Sequence, residues 1–174
     1  MTVNKINGIT IEAATLGGSS LATITTLMDT KIADKLVLKR KSADQTVNNS
    51  EALVNVTDLV LAVGVDEVWQ IELMIFTQSA SGTPDVDYAF SVPSNGVIRK
   101  VKYWESETAS GFLNGVSEET LAGVDSTEKS SGTRYVYIGG DTAGNVQLQF
   151  AQHVATVEDT KLKANSSMIC RKLV

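Results

Sequence analysis

Residues 67–76 read EVWQIELMIF, and the fold turns on this stretch. Trp69, Ile71, Leu73 and Ile75 occupy every second position, with Gln70 and Glu72 between them. Strand side chains alternate between two faces, whereas a helix brings an apolar residue round every three or four positions, so the stretch is written as a half-buried strand. DVDYAFSV, residues 85–92, repeats the device: Val86, Tyr88, Phe90 and Val92 are expected inward, and Asp85, Asp87 and Ser91 outward. Pro93 then ends that strand, having no N–H to give to a ladder. In VQLQFAQ, residues 146–152, Val146, Leu148 and Phe150 take the core face while Gln147 and Gln149 take the other.

Between such runs stand Ser81-Gly82-Thr83-Pro84, Ser94-Asn95-Gly96, Ser130-Ser131-Gly132 and Gly139-Gly140-Asp141-Thr142-Ala143-Gly144-Asn145. Gly and Asn tolerate positive φ and Pro presets a turn, so these are connections. The last is read as a hairpin turn. Strands are then expected near 36–41, 45–47, 53–63, 67–78, 85–92, 97–104, 133–139, 145–153 and, with a break, 160–173. With no helix long enough to cross between parallel strands, the expectation is an all-β, antiparallel two-sheet β-sandwich of jelly-roll type. Its core is expected to hold Leu59, Leu61, Trp69, Ile71, Leu73, Tyr88, Phe90, Val136, Ile138, Val146, Leu148 and Phe150.

Two segments escape this pattern. Residues 106–132 are long for a connection, rich in Ser and Gly, and carry Phe112, Leu113 and Leu121, which need burial. Residues 1–37 form an N-terminal arm ahead of a sandwich at 38–174. Within the arm, Leu21, Ile24, Met28, Ile32 and Leu36 recur at spacings of three and four, which fits one amphipathic helix over 20–36, although the many Thr residues fit an extended arm almost as well. Ile6, Ile9, Ile11, Leu21, Ile24, Met28 and Ile32 have no obvious place on a finished sandwich and are the candidate residues of an interface, with another protein or between copies.

Composition excludes several functions. At 174 residues, with 43% hydrophobic and 20% charged residues, the chain is globular and a single core suffices. A net charge of −5 offers a phosphate backbone little counterion release, so no nucleic-acid partner is expected. No apolar run reaches membrane-span length, and MTVNKINGITIEAATLGG alternates polar with apolar residues instead of presenting a secretory signal, so synthesis in the cytoplasm is the expectation. Cys170, the sole cysteine, reads as a small buried hydrophobe.

The candidates for chemistry weigh little. His153 is the sole histidine and lies on the Gln147 and Gln149 face, so it reads as an ordinary surface histidine. No Gly-x-Ser-x-Gly elbow is present, and GGDTAGN opens no helix. Glu105, Glu107, Glu118 and Glu119 sit in solvated sequence, without the apolar cleft that raises a catalytic acid's pKa. Asp85 with Asp87, or Asp141 with Asn145, offers hard oxygens to a loop calcium ion, but solvated carboxylates explain them more simply. No enzyme activity, cofactor or metal is expected. Tyr103, Trp104, Tyr135 and Tyr137 are candidates for exposed aromatics that stack on sugars or anchor an interface, although core packing of some of them is the stronger reading. Arg99, Lys100 and Lys102 read as a solvated face that protects a sheet edge.

KSADQTV with ALVNVTDLVLAV, then VWQIELMIF, DVDYAFSVP, and VQLQFAQ with TKLKANSSMICRKL together resemble a β-sandwich module that recurs in virion proteins of tailed bacteriophages. The module has a Lys-x-x-Asp-Gln entry strand, a Leu-rich second strand, a strand ending in Pro, a Val-x-Leu-Gln-Phe/Trp-Ala-Gln strand, and a closing strand after a small-Ser turn. The likeness covers residues 38–174; Ala164-Asn165-Ser166-Ser167 departs from the usual Gly-Ser turn, and 105–132 is longer than in many relatives. The resemblance implies a structural part of a phage particle: a capsid decoration or head-fibre protein on the major capsid protein or another virion protein, or else a tail-associated module that holds host glycans. A homotrimer is expected to go with it.

Overall fold

The computed structural model describes residues 4–6, 9–11, 35–101, 119–121 and 124–174. The chain divides into two compact units, Met1–Lys35 and Leu36–Val174. In the first, β1 (Asn4–Ile6) and β2 (Ile9–Ile11) pair antiparallel, with Ile6 opposite Ile9 and Asn4 opposite Ile11. The proposed helix lies outside the described residues up to position 34, and its last member, Leu36, is in a strand.

The second unit is the sandwich. Its strands are β3 (Leu36–Arg40), β4 (Gln45–Asn48), β5 (Val54–Val63), β6 (Val68–Ser79), β7 (Val86–Ser91), β8 (Val97–Val101), β9 (Glu119–Leu121), β10 (Lys129–Ile138), β11 (Gly144–Ala151), β12 (Asp159–Leu162) and β13 (Ser167–Lys172). All pairings are antiparallel. The larger sheet runs β3-β13-β6-β10-β8, and β12 with β4 continues the line of β13 and β3 along the far half of β6. The smaller sheet runs β5-β11-β7-β9. From β4 to β12 successive strands alternate between the sheets, which is the jelly-roll way of closing two layers over one core. GGDTAGN therefore spans from one sheet to the other and is not a hairpin: β10 and β11 never pair.

Both sheets supply the core in the expected period. Leu59, Leu61, Trp69, Ile71, Leu73, Tyr88, Phe90, Val146, Leu148 and Phe150 are buried. Val136 and Ile138 are not: β10 turns Tyr135 and Tyr137 inward instead, because its register sets Tyr135 opposite Ile71 and Tyr137 opposite Trp69 on the core side of β6. Tyr135 meets Phe90 edge-to-face across the two layers, ring centroids 5.0 Å apart, and its hydroxyl lies 3.4 Å from that of Tyr88. Cys170 is fully buried, and burial pushes its thiol up to about 12.

The long connection is partly woven in. Leu121 packs on the core, Val124 is buried, β9 adds a short edge to β7, and β10 begins at Lys129, earlier than the Ser-Gly composition suggested. Phe112 and Leu113 lie outside the described residues.

The KSADQ opening forms a polar corner. Lys41 is 2% exposed, and its Nζ donates to Gln45 Oε1 at 2.9 Å and Thr57 Oγ1 at 3.0 Å. Asp44 accepts from Lys163 Nζ and the Ala164 N–H, and Asp58, at φ 71°, accepts from the N–H and hydroxyl of Ser42. Gln147 Nε2 donates to the carbonyls of Val56 and Leu59, across the irregularity where the β5–β11 register shifts. These bonds tie the strand breaks at β3–β4 and β12–β13 to β5, so the Lys-x-x-Asp-Gln pattern acts as architecture.

Candidate interaction face

The two outer faces of the sandwich differ in chemistry. On the smaller sheet, β5, β11 and β7 turn Val60, Ala62, Asn145, Gln147, Gln149 and Ser91 away from the core, a mostly small and polar set. On the larger sheet, the alternate positions of β6 are Val68, Gln70, Glu72, Met74 and Phe76, so the alternation that makes the strand amphipathic fails at three of five positions. Cross-strand register aligns them with neighbours of the same kind. One row runs Leu36, Arg171, Gln70, Val136, Arg99, and the next runs Leu38, Ile169, Glu72, Arg134, Val101.

Four members of this face are large apolar side chains in water: Leu38 is 66% exposed, Leu36 51%, Met74 51% and Ile169 41%. Single exposed apolar residues are ordinary on protein surfaces, but Leu36, Leu38 and Ile169 adjoin one another across β3 and β13. Among the described residues the same face holds Arg40, Arg99, Arg134 and Arg171, with Glu72, which Arg134 engages at 2.8 Å, and, on β12 at the far end of the sheet, Asp159. Apolar side chains set among guanidiniums are the usual composition of a protein interface. The signal was present in the sequence, in Val68, Met74 and Phe76 occupying positions where a wet face calls for polar residues.

Of the candidate interface residues, Ile6, Ile9 and Ile11 belong to the backbone of β1 and β2, and Leu21, Ile24, Met28 and Ile32 lie outside the described residues. Tyr135 and Tyr137 are core residues, which selects core packing over an exposed platform for these two, and Tyr103, Trp104 and Lys102 lie outside the described residues. Arg99 is exposed on β8, the terminal strand of the larger sheet.

His153 is half-exposed yet has partners. Its Nδ1 lies 2.9 Å from Asp87 Oδ2, and Thr120 on β9 donates to Asp87 Oδ1 at 2.6 Å. Asp87 is 7% exposed, which corrects its reading as a solvated outward residue: it is on the outer side of β7, but β9 and His153 cover it. The hydrogen bond and charge of Asp87 hold the imidazole above its ordinary pKa. The trio is no catalytic triad, because the Thr120 hydroxyl, 3.4 Å away, and the carboxylate both face Nδ1, whereas a triad places nucleophile and carboxylate on opposite ring nitrogens.

The other acids are also engaged. Asp85 accepts from the Val124 N–H, and Asp141 from Asn95 and Thr142. Among the described residues no group of three or more His, Cys, Asp or Glu is placed to hold a metal. Glu105, Glu107 and Glu118 lie outside the described residues, and Glu119 contributes backbone to β9. No helix among the described residues is long and apolar enough to cross a membrane.

No family model matches the sequence, and no curated protein matches it. Among solved structures the chain is similar to the structure of infectious bursal disease virus Gx strain, at 9% identity and TM-score 0.26, over 80% of this chain and 41% of that one. It is also similar to the infectious bursal disease virus VP2 subviral particle, at 12% identity and TM-score 0.24, over 80% and 42%. The chain thus spans about two-fifths of those chains' length, and at such scores the likeness says nothing of what it does or assembles with.

Proposed function

We propose that the chain is a non-enzymatic structural protein of a tailed-bacteriophage virion, a capsid decoration or head-fibre protein that grips the major capsid protein or another virion protein through its N-terminal arm. The observation that carries this reading is the apolar, arginine-bearing outer face of the larger sheet, opposite a small polar face on the other. A sandwich with one sticky and one wet face is suited to standing in an assembly. The resemblance of KSADQTV, DVDYAFSVP and VQLQFAQ to phage virion modules supplies the kind of assembly. The arm, with Ile6, Ile9, Ile11, Leu21, Ile24, Met28 and Ile32, is the anchor, and a homotrimer formed through the arm and the outer sheet face presents the sandwich outward. A segment that orders on binding gives up conformational entropy but covers a large surface, which suits a lattice of repeated sites.

Deleting residues 1–34 tests the anchor. The truncated protein is expected to stay folded and to stop co-sedimenting with phage particles. Full decoration of heads by that protein would show that the arm is not the anchor. Pelleting of the full chain with bacterial cells or glycan beads would favour the tail-associated, carbohydrate-binding alternative, whose aromatic platform has lost Tyr135 and Tyr137 to the core.

A further inference from the structure

The outer face of the larger sheet is basic on a chain whose net charge is −5, so the acid is concentrated elsewhere. One cluster sits at the end of the sandwich where β6 and β11 finish and β10 and β12 begin: Asp125 and Glu128 precede β10, Glu158 precedes β12 and Asp159 opens it, with Asp125 paired to Lys129 and Asp159 to Lys161, so that Glu128 and Glu158 carry the uncompensated charge. The same end carries exposed apolar side chains. Val157 is 82% exposed and Val154 43%. Their loop is held in shape from several sides: the Asn49 N–H donates to the Thr156 carbonyl, Asn48 Nδ2 to the Val157 carbonyl, and the Ala155 N–H to Glu51 Oε1. A braced loop that projects a valine between carboxylates loses little further entropy when it docks.

We propose that this acidic end of one copy docks on the outer sheet face of a second copy. Val157 would meet the Leu36, Leu38 and Ile169 corner, with Glu158 and Glu128 answering Arg171 and Arg99. Those two arginines are exposed and form no ion pair among the described residues; register places them three strand spacings apart, about 14 Å. Guanidinium forks match carboxylates in paired geometry, and opposite charges across the contact set its orientation. Two outer faces meeting each other would oppose arginine to arginine. The contact is therefore heterologous, one surface against a different one, and closes into a ring such as a trimer or extends as an array. The inference rests on the reading of the outer face as an interface and not on which particle the protein belongs to.

Sedimentation velocity of the full-length chain without phage tests it. Wild type is expected to sediment as an oligomer whose size falls with rising salt. R99E/R171E and E128K/E158K are each expected to be monomeric, with unchanged circular dichroism, because all four side chains lie outside the core. Mixing the two variants should restore association, since the native pair of charges forms between them in one direction and the swapped pair, lysine end on glutamate face, in the other. A monomeric wild type at the highest soluble concentration would overturn the proposal. So would assembly of either variant alone at wild-type strength, or failure of the mixed variants to associate. Because no particle is present, each of these outcomes is separable from failure of the virion reading.

Discussion

At the scale of single residues, two polar groups that look incidental in the sequence carry specific loads. Asp87 and His153 are sixty-six positions apart and meet only because β7 pairs with β11. The imidazole's pKa is raised above 6.5 by Asp87, first through the hydrogen bond and then through charge, with Asp85 and Glu51 adding to it. The folded state therefore holds this proton more tightly than the unfolded chain, so the contribution is full below about pH 6.5 and is lost as pH rises through the raised value. An NMR titration should find His153 above its ordinary pKa in the wild type and lower in Asp87→Asn. Lys41 is the second case. Burial lowers its pKa while Asp58 and Asp44 oppose the change, and its ammonium closes the corner between Gln45 and Thr57. Lys41→Ala is expected to lower stability by roughly 3 kcal/mol in urea unfolding, because it removes a buried stem and the charged donor shared by Gln45 and Thr57, leaving Gln45 Oε1 only the Thr57 N–H and hydroxyl. Lys41→Met, which keeps the stem, should recover part of that loss.

At the scale of elements, the period of two is the part of the fold that the sequence states outright. In β6, β7 and β11 polar residues mark the wet side often enough to fix which positions are buried, and Trp69, Ile71, Leu148 and Phe150 lie where that period puts them. Ile71→Ala or Leu148→Ala should each cost about 2–5 kcal/mol, and Gln149→Ala much less, as measured by thermal or urea unfolding. β10 shows where such reading fails. Tyr135, Val136, Tyr137 and Ile138 are all apolar, so no alternation distinguishes the faces, and pairing with β6 makes the choice. Tyr137→Ala should accordingly destabilise far more than Val136→Ala; equal losses would mean that the register of β10 is wrong. Nor can local pattern reveal that β9 covers Asp87, because the contact joins residues thirty-three positions apart across a long connection. The interaction face was legible in part: Val68, Met74 and Phe76 interrupt the polar positions of β6, but Leu36, Leu38 and Ile169 join them only through the β3–β13 pairing.

At the scale of the molecule, the proposed function makes the chain a sandwich with unlike faces that stands in an assembly. The proposed assembly is a phage particle, so the decisive observation is where the protein sits. Val174 is 76% exposed at the end of the sandwich unit and can carry a small tag. Negative-stain images of purified phage particles, with gold bound to that tag, are expected to show gold over the heads, at many sites per particle. Gold confined to tails, or particles that carry none while the tagged protein remains in the soluble fraction, would contradict the proposed function.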